Sequence, residues 1–108
     1  MLIQTEIPSR SFRFSIHVDG KEIGRASIVL IKNDLHEQPY GLLEDVWVDH
    51  THRNQGHATT LVQVVVERAK IERCYKLVAT SRLERKRVHD LYKQLGFRLH
   101  GLEFRMDF

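Results

Sequence analysis

The feature that most constrains this chain is a stretch that passes from a strand pattern, through a polar turn with glycine, into a helix pattern. It runs from Leu42 to Val66 and reads LLEDVWVDHTHRNQGHATTLVQVVV. Helical periodicity begins at Ala58. A strand that turns through glycine into a helix directs several unpaired backbone N–H groups and the positive end of the helix dipole at one point. Such a point binds phosphate through main-chain donors alone.

Two antiparallel strands are predicted before this stretch. Residues 12–18, FRFSIHV, alternate apolar and polar side chains, and residues 23–31, IGRASIVLI, are rich in β-branched side chains. Asp19-Gly20 between them favours a tight hairpin turn because both residues tolerate positive φ. A further short strand is predicted for residues 2–7, and residues 32–41 are expected to form an exposed loop.

Residues 42–48 are predicted to form the third main strand. If the side chains alternate strictly, Glu44 lies on the same face as Val46 and Val48. The opposite face would then carry Leu43, Asp45 and Trp47.

The second half of the chain contains two helix patterns and two strand patterns. A helix of about 16 to 18 residues is predicted from Ala58, and residues 75–80, YKLVAT, form a buried strand beside residues 42–48. A second helix ends at Gly96. Its apolar positions are Val88, Leu91, Tyr92 and Leu95. Residues 97–108, FRLHGLEFRMDF, fit a final strand or a bulged hairpin.

These elements predict a single domain of residues 1–108 with an α/β fold. Its sheet is mixed, mostly antiparallel and twisted, with a central parallel strand–helix–strand unit and two main helices. The composition of 42% hydrophobic and 29% charged residues is typical of a globular protein. The chain has no apolar run long enough for a membrane span, and its single cysteine, Cys74, agrees with a reducing compartment, so we expect a cytoplasmic protein.

The segment Arg53-Asn54-Gln55-Gly56-His57-Ala58 forms the pattern R-x-x-G-x-A. Gly56 leaves the backbone bare where a diphosphate would approach, and small Ala58 lets the helix begin close to the strand. Thr59 and Thr60 add hydroxyls in the first turn. Glycine before a helix is equally common for purely structural reasons, so this hexapeptide alone leaves both interpretations open.

Three motifs together give the chain a family resemblance. The motifs are LEDVWV, then RNQGHA, which opens a helix, and then LYKQLGF, which ends the next helix. Through them the chain resembles the GNAT superfamily of acyl-CoA-dependent N-acetyltransferases over Leu42 to Phe97. The resemblance implies acetyl transfer from acetyl-CoA to an amine in a direct ternary complex, without a metal. Family members usually carry two helices after their first strand, and because only about ten residues precede the first hairpin here, we expect those helices to be missing. The acceptor groove is therefore expected to be open, or completed by a homodimer through the apolar C-terminal segment.

The resemblance also implies how the cofactor is held. Backbone N–H groups of residues 55–58 would bind the diphosphate, while backbone groups of Val46 and Val48 would pair with the pantetheine arm. This strand and the next should therefore part between Val46–Val48 and Leu77–Val78. Arg82 or Arg85, in the basic run of residues 82–87, is a candidate for a cofactor phosphate. The full predicted cofactor-binding set is Val46, Val48, Arg53, Asn54, Gln55, Gly56, His57, Ala58, Thr59, Thr60 and Arg85.

Two residues are candidates for catalysis. An alkyl amine is mostly protonated at neutral pH, so a base must take its proton, and Glu44 matches a position where the family often has a glutamate. Tyr92, the tyrosine of LYKQLGF, matches the family residue that protonates the departing thiolate. Glu44 is equally explained as an exposed or ion-paired side chain, and Tyr92 as a core residue.

Other interpretations of the basic and histidine-rich composition remain. His50, His52 and His57 do not match a usual zinc spacing, so no metal site is predicted, although one of them could replace Glu44 as the base. A non-catalytic acyl-CoA sensor would keep Gly56 and lack turnover. The net charge of +3 also allows a small nucleic-acid-binding protein, but exposed aromatics among the basic residues are few.

Overall fold

The protein contains one four-stranded sheet and two α-helices. They form from the predicted hairpin, the strand that turns through glycine into a helix, and the second helix pattern. In a computed structural model that describes residues 1–108, the strands follow the order β1-β2-β3-β4. The elements are β1 Arg10–Val18, β2 Lys21–Ile31, β3 Tyr40–Val48, α1 His57–Ile71, β4 Leu77–Ala79 and α2 Lys86–Gln94. Pairing is antiparallel except between β3 and β4, which are parallel. The predicted α/β fold class is confirmed.

The core lies between the sheet and α1. Its centre is formed by Ile28 of β2 and by Val62 and Val65 of α1, whose side chains are completely buried. Adjacent valines are poor helix formers, so burial of this apolar stripe against β2 stabilises α1 more than intrinsic propensity does. No helix in the structure is both long enough and apolar enough to cross a membrane.

A bulge in β3 makes the predicted alternation wrong after Leu43. Arg25 pairs with Trp47 and Ser27 pairs with Glu44, so β3 contains one extra residue between these pairs. Asp45 adopts a left-handed φ of 54° at the bulge. Beyond the bulge the alternation of side chains between the two faces is reversed. Val46 and Val48 therefore lie on the core face, as Leu43 does.

The bulge also corrects the predicted position of Glu44. Its cross-strand partner Ser27 lies between the buried residues Ala26 and Ile28, so Ser27 and Glu44 are on the face opposite the core. Glu44 therefore does not share a face with Val46 and Val48. It is an exposed side chain at the point where β3 is distorted.

The two terminal segments contain no strand, so two predictions are wrong. Residues 2–7 and 97–108 are outside the sheet, although the sequence pattern favours strands in both. Phe97 packs against the core, and residues 98–108 are all exposed. A strand exists only when its backbone groups have a partner, and these segments have none within the chain.

β3 and β4 pair over a short distance and then part. The pairs are Gly41 with Leu77, Leu42 with Val78, and Leu43 with Ala79. The predicted strand of residues 75–80 is thus reduced to three residues. The parting of the strands is confirmed, but Leu77 and Val78 lie on the paired side of it. The gap begins after Leu43 and Ala79, and it runs along the bulged half of β3.

Candidate active site

A cleft of about 980 Å³ occupies the gap between β3 and the segment that leads into α2. It is bounded by the bulged half of β3, the loop before α1, the first turn of α1 and one side of α2. All of the predicted site residues line it except Gln55 and Thr60. Those that line it are Glu44, Val46, Val48, Arg53, Asn54, Gly56, His57, Ala58, Thr59, Arg85 and Tyr92.

The loop before α1 presents unpaired main-chain donors to this cleft. Asn54 and Gly56 have left-handed φ angles of 64° and 83°, and Gly56 is the N-cap of α1. None of the backbone N–H groups of residues 54–59 donates to another group of the chain. Consecutive free N–H groups at a helix start, with the helix dipole behind them, form an anion-binding surface.

The two threonines of the first turn differ in their availability. Thr60 donates its hydroxyl to the Gly56 carbonyl oxygen at 3.1 Å, so this hydroxyl already has an acceptor within the helix. Thr59 lines the cleft instead. Of the two predicted hydroxyl donors, Thr59 is therefore the one placed to reach an anion at the loop.

Asp49 organises the turn that leads into this loop. Its Oδ2 accepts a hydrogen bond from the Thr51 hydroxyl at 2.6 Å and lies 3.1 Å from Nδ1 of His52. These hydrogen bonds from Thr51 and His52 lower the pKa of Asp49 to about 2. Arg53 then ties the loop back to the sheet by donating from Nε to the Val48 carbonyl oxygen at 3.1 Å.

Asp49→Asn is expected to destabilise the protein at neutral pH but not at strongly acidic pH. Because the pKa of Asp49 is lower in the folded chain than in the unfolded chain, its stabilising effect is present above pH 3.8 and is lost as the pH falls toward about 2. Thermal unfolding of both proteins across this range should show two melting temperatures that converge. A difference that stays constant with pH would contradict the ionised role of Asp49.

The bulge brings a cationic, an acidic and an aromatic side chain together on the outer face of β3. Arg25 Nε donates to Asp45 Oδ2 at 2.8 Å, and the Arg25 guanidinium lies 4.8 Å from the centre of the Trp47 ring. Glu44 beside them has no ion-pair partner. Of the two adjacent carboxylates, Asp45 is thus neutralised by Arg25, whereas Glu44 is available to a ligand.

Tyr92 lies on the α2 side of the cleft. Its ring packs on Phe97 with 5.3 Å between ring centres, and it also contacts the core cluster. Burial raises the pKa of Tyr92, while the nearby positive charge of Arg85 acts in the opposite direction. Its hydroxyl is therefore protonated at neutral pH and can donate a proton or a hydrogen bond.

One wall of the cleft is strongly basic. Arg82, Arg85 and Arg87 line it, and none of them forms an ion pair with an acidic side chain. The basic run precedes and opens α2, since the helix begins at Lys86 with Arg85 as its N-cap. Together with the loop donors, these guanidinium groups favour a ligand that carries several negative charges.

Sequence reasoning missed several cleft residues. Arg25 and Trp47 both line the cleft, and Trp47 lies on the same face as Arg25 because the bulge reverses the side-chain alternation of β3, which no glycine marks. Glu103 and Arg105 come from the C-terminal segment, which was expected to be a strand. Cys74 is half-buried and burial raises the pKa of its thiol, as expected for an unreactive cysteine. The structure contains no group of three His, Cys, Asp or Glu side chains arranged to hold a metal ion.

Comparison with known proteins agrees with this architecture. The model of the family described as "Acetyltransferase (GNAT) family" matches residues 2–97. A glucosamine 6-phosphate N-acetyltransferase from Trypanosoma brucei brucei is 30% identical over 89 residues, which cover 82% of this chain. The match covers 58% of that relative, so the chain spans little more than half of its length.

Two solved structures are similar over most of the chain. The crystal structure of a Trypanosoma brucei acetyltransferase has a TM-score of 0.78 and 28% identity, with 93% of this chain and 69% of that chain covered. Glucosamine-6-phosphate N-acetyltransferase from Arabidopsis thaliana has a TM-score of 0.82 and 23% identity, with 91% and 67% covered. At 23% identity, the similarity to the Arabidopsis thaliana enzyme shows that the two chains share a fold.

Proposed function

The chain belongs to the GNAT family of acetyltransferases, and on that premise we propose that it transfers an acetyl group from acetyl-CoA to a primary amine in a direct ternary complex. One observation carries the proposal. The free backbone donors at the start of α1 face the same cleft as Glu44 and Tyr92, at the point where β3 and β4 part.

The residues of the cleft fit the two ends of acetyl-CoA. We infer that the backbone N–H groups of residues 55–58, with the Thr59 hydroxyl, hold a diphosphate, because these N–H groups have no acceptor within the chain and Thr59 lines the cleft. Val46 and Val48 lie beyond the last β3–β4 pair, so their backbone groups on that side face no strand and can pair with an extended pantetheine arm, except the Val48 carbonyl oxygen, which already accepts from Arg53. When bound, acetyl-CoA supplies the activated acetyl thioester.

Two side chains then divide the proton transfers. Glu44, exposed in the cleft and without an ion-pair partner, accepts a proton from the acceptor ammonium directly or through water. Tyr92 donates a proton to the thiolate that leaves. His52 fits the role of base less well, because its ring is already held by Asp49 and Thr51.

The proposal is tested by binding and turnover measured on the same preparation. Acetyl-CoA should raise the melting temperature, and a panel of amines should then release free thiol when the correct acceptor is present. The panel should include glucosamine 6-phosphate, the substrate named for two of the similar proteins, together with lysine and peptide N-termini. Stabilisation without thiol release for any amine would favour the acyl-CoA sensor. Retention on DNA in place of either effect would favour a nucleic-acid binder.

Glu44→Gln should lower turnover about 10-fold at neutral pH, with a smaller loss as the pH approaches about 10. The reason is that a free amine becomes abundant near its own pKa and then needs no base. Turnover as a function of pH measures the effect, and Glu37→Gln, an exposed residue outside the cleft, is the matched control. Parallel pH profiles for wild type and Glu44→Gln would remove Glu44 from the mechanism.

Arg85→Ala should weaken binding of coenzyme A more than binding of its 3′-dephospho form. We expect about a 10-fold larger loss for coenzyme A if the guanidinium contacts the 3′-phosphate, because a charge-assisted hydrogen bond is lost only there. Calorimetric titration of both ligands measures the difference. Equal losses for the two would place Arg85 near another part of the cofactor, such as the Tyr92 end of the cleft.

A further inference from the structure

The face of the sheet opposite α1 carries an apolar patch. The buried core side chains of β2 alternate with Val29 and Ile31, which therefore point away from α1. Val29 pairs with Leu42, and Leu42 pairs in turn with Val78 of β4. Ile31 pairs with Tyr40. Because paired residues share a face of the sheet, these side chains form one outer patch, which consists of Val29, Ile31, Tyr40, Leu42 and Val78.

The outer patch is separate from the core. Its five residues are half-buried, and none of their side chains packs against the core cluster. Helix α1 lies on the opposite face, and α2 contacts the core cluster through Tyr92 and Leu95. The outer patch is therefore a flat apolar surface that is open to a ligand.

Glu44 places a negative charge at the border of the outer patch and the cleft. It lies on the same face as Leu42, two residues further along β3, which corresponds to about 6.5 Å along the strand. The Glu44 carboxylate forms no ion pair, whereas the neighbouring Asp45 is paired with Arg25 at 2.8 Å. An unpaired carboxylate next to an apolar surface complements a ligand with one ammonium group and an apolar body.

The surroundings of Glu44 indicate the direction of that body. On the side of the bulge, a ligand would meet the ion pair of Arg25 and Asp45. On the side of Leu42 it would meet only apolar side chains, as far as Lys76, whose Nζ lies 4.8 Å from the centre of the Tyr40 ring. The ligand can thus extend over an uncharged surface only toward Leu42.

We propose that the acceptor is a primary monoamine with an apolar alkyl or aryl chain, which binds with its ammonium at Glu44 and its chain across Leu42, Val29 and Val78. This inference rests on the transfer function proposed above and names its substrate class. The carbon–nitrogen bond forms as the carbon–sulfur bond breaks. An alkylammonium and acetyl-CoA then give an N-alkylacetamide, coenzyme A and one proton, which Glu44 takes up.

Two other kinds of amine fit this surface less well. A diamine would place its second ammonium over the outer patch and toward Lys76, where no free carboxylate receives it. A polypeptide N-terminus would place its next peptide groups over Leu42 and Val29, whose side chains offer no hydrogen-bond partner. Both ligands would therefore lose polar interactions with water without replacing them.

A chain-length series tests the proposal at saturating acetyl-CoA. The value of kcat/KM should rise about fourfold for each methylene from ethylamine to hexylamine, because each buried methylene contributes about 0.8 kcal/mol. The four added methylenes then give a total of more than about 100-fold. Straight-chain amines have nearly the same pKa, so the fraction of free amine stays constant along the series.

Two further acceptors complete the series. Both 1,6-diaminohexane and an alanyl-leucyl-leucine amide should have values of kcat/KM about 100-fold below that of hexylamine. Values that do not change with chain length, or a diamine or peptide as good as hexylamine, would overturn this inference and leave the transfer function standing. Absence of thiol release with every amine would overturn both.

Variants of the outer patch locate the effect. Leu42→Thr should lower kcat/KM for hexylamine about 10-fold and leave that for ethylamine unchanged, because the shorter chain does not reach Leu42. Val29→Thr keeps the shape of the side chain and should change the same ratio about fourfold, which gives a second test if Leu42→Thr does not fold. Val18→Thr, at the exposed end of β1 and outside the cleft, is the matched control. Equal losses for the two amines, or no loss in either patch variant, would overturn the inference.

Discussion

Replacing Gly56 with valine is expected to weaken acetyl-CoA binding at least about 100-fold while the chain remains folded. A β-branched residue resists the left-handed φ of 83° that Gly56 adopts, so the loop rearranges and the backbone donors no longer converge. The added side chain would meet no protein atom within 4 Å, because Gly56 faces the open cleft. It would instead occupy the space in which the diphosphate is expected. Loss of one or two hydrogen bonds to a charged group accounts for the magnitude.

Gly20→Val is the matched control for this variant. Gly20 has a similar φ of 77°, and a side chain added there would also meet no protein atom within 4 Å, but it lies in the β1–β2 turn, outside the cleft. Both substitutions should destabilise the fold by about 1–2 kcal/mol through backbone strain. Only Gly56→Val should change the dissociation constant measured by calorimetry. Equal affinities for the two variants would show that the loop does not bind the cofactor.

Tyr92→Phe should lower turnover roughly 100-fold with little change in acetyl-CoA affinity. The substitution removes a proton donor and keeps the ring that packs on Phe97, so the cleft retains its shape. Because burial raises the pKa of Tyr92, the hydroxyl is protonated throughout the neutral range, and the loss should be nearly constant from about pH 6 to about pH 9. Steady-state turnover over that range, with a separate binding titration, measures both parts of the prediction.

Tyr40→Phe provides the control for the loss of a tyrosine hydroxyl. Tyr40 packs edge-on against Tyr75, with 6.1 Å between ring centres, and does not line the cleft. Its substitution should leave turnover unchanged. A fully active Tyr92→Phe enzyme would assign Tyr92 to packing alone, and an equal loss in both variants would point to a general effect on stability.

The sequence was informative where local chemistry decides the structure. The Asp19-Gly20 turn forms with φ angles of 51° and 77°, as that dipeptide favours. The start of α1 could be predicted because glycine followed by an apolar helical stripe leaves few other conformations. The predicted phosphate loop therefore lies in the cleft with its donors free, which is the arrangement that the motif requires.

Prediction from the sequence failed where the position of a pairing partner decides the structure. Strict alternation placed Glu44 with Val46 and Val48, and the bulge at Asp45 breaks it because aspartate tolerates a left-handed φ without any glycine to mark the site. For residues 97–108, the spaced apolar residues alone predict a final strand or a bulged hairpin. Alternation specifies a face, whereas a strand also needs an adjacent edge to pair with, and spaced apolar residues do not show whether such an edge is within reach.

The central claim is that main-chain donors at the start of α1 hold a diphosphate and so anchor a thioester in the gap between β3 and β4. Calorimetric titration with acetyl-CoA and with acetyl-pantetheine, which keeps the thioester arm and lacks the diphosphate and nucleotide, tests it most directly. The loop donors and the basic wall predict that acetyl-pantetheine binds at least about 100-fold more weakly. Equal affinity for the two ligands would contradict the claim.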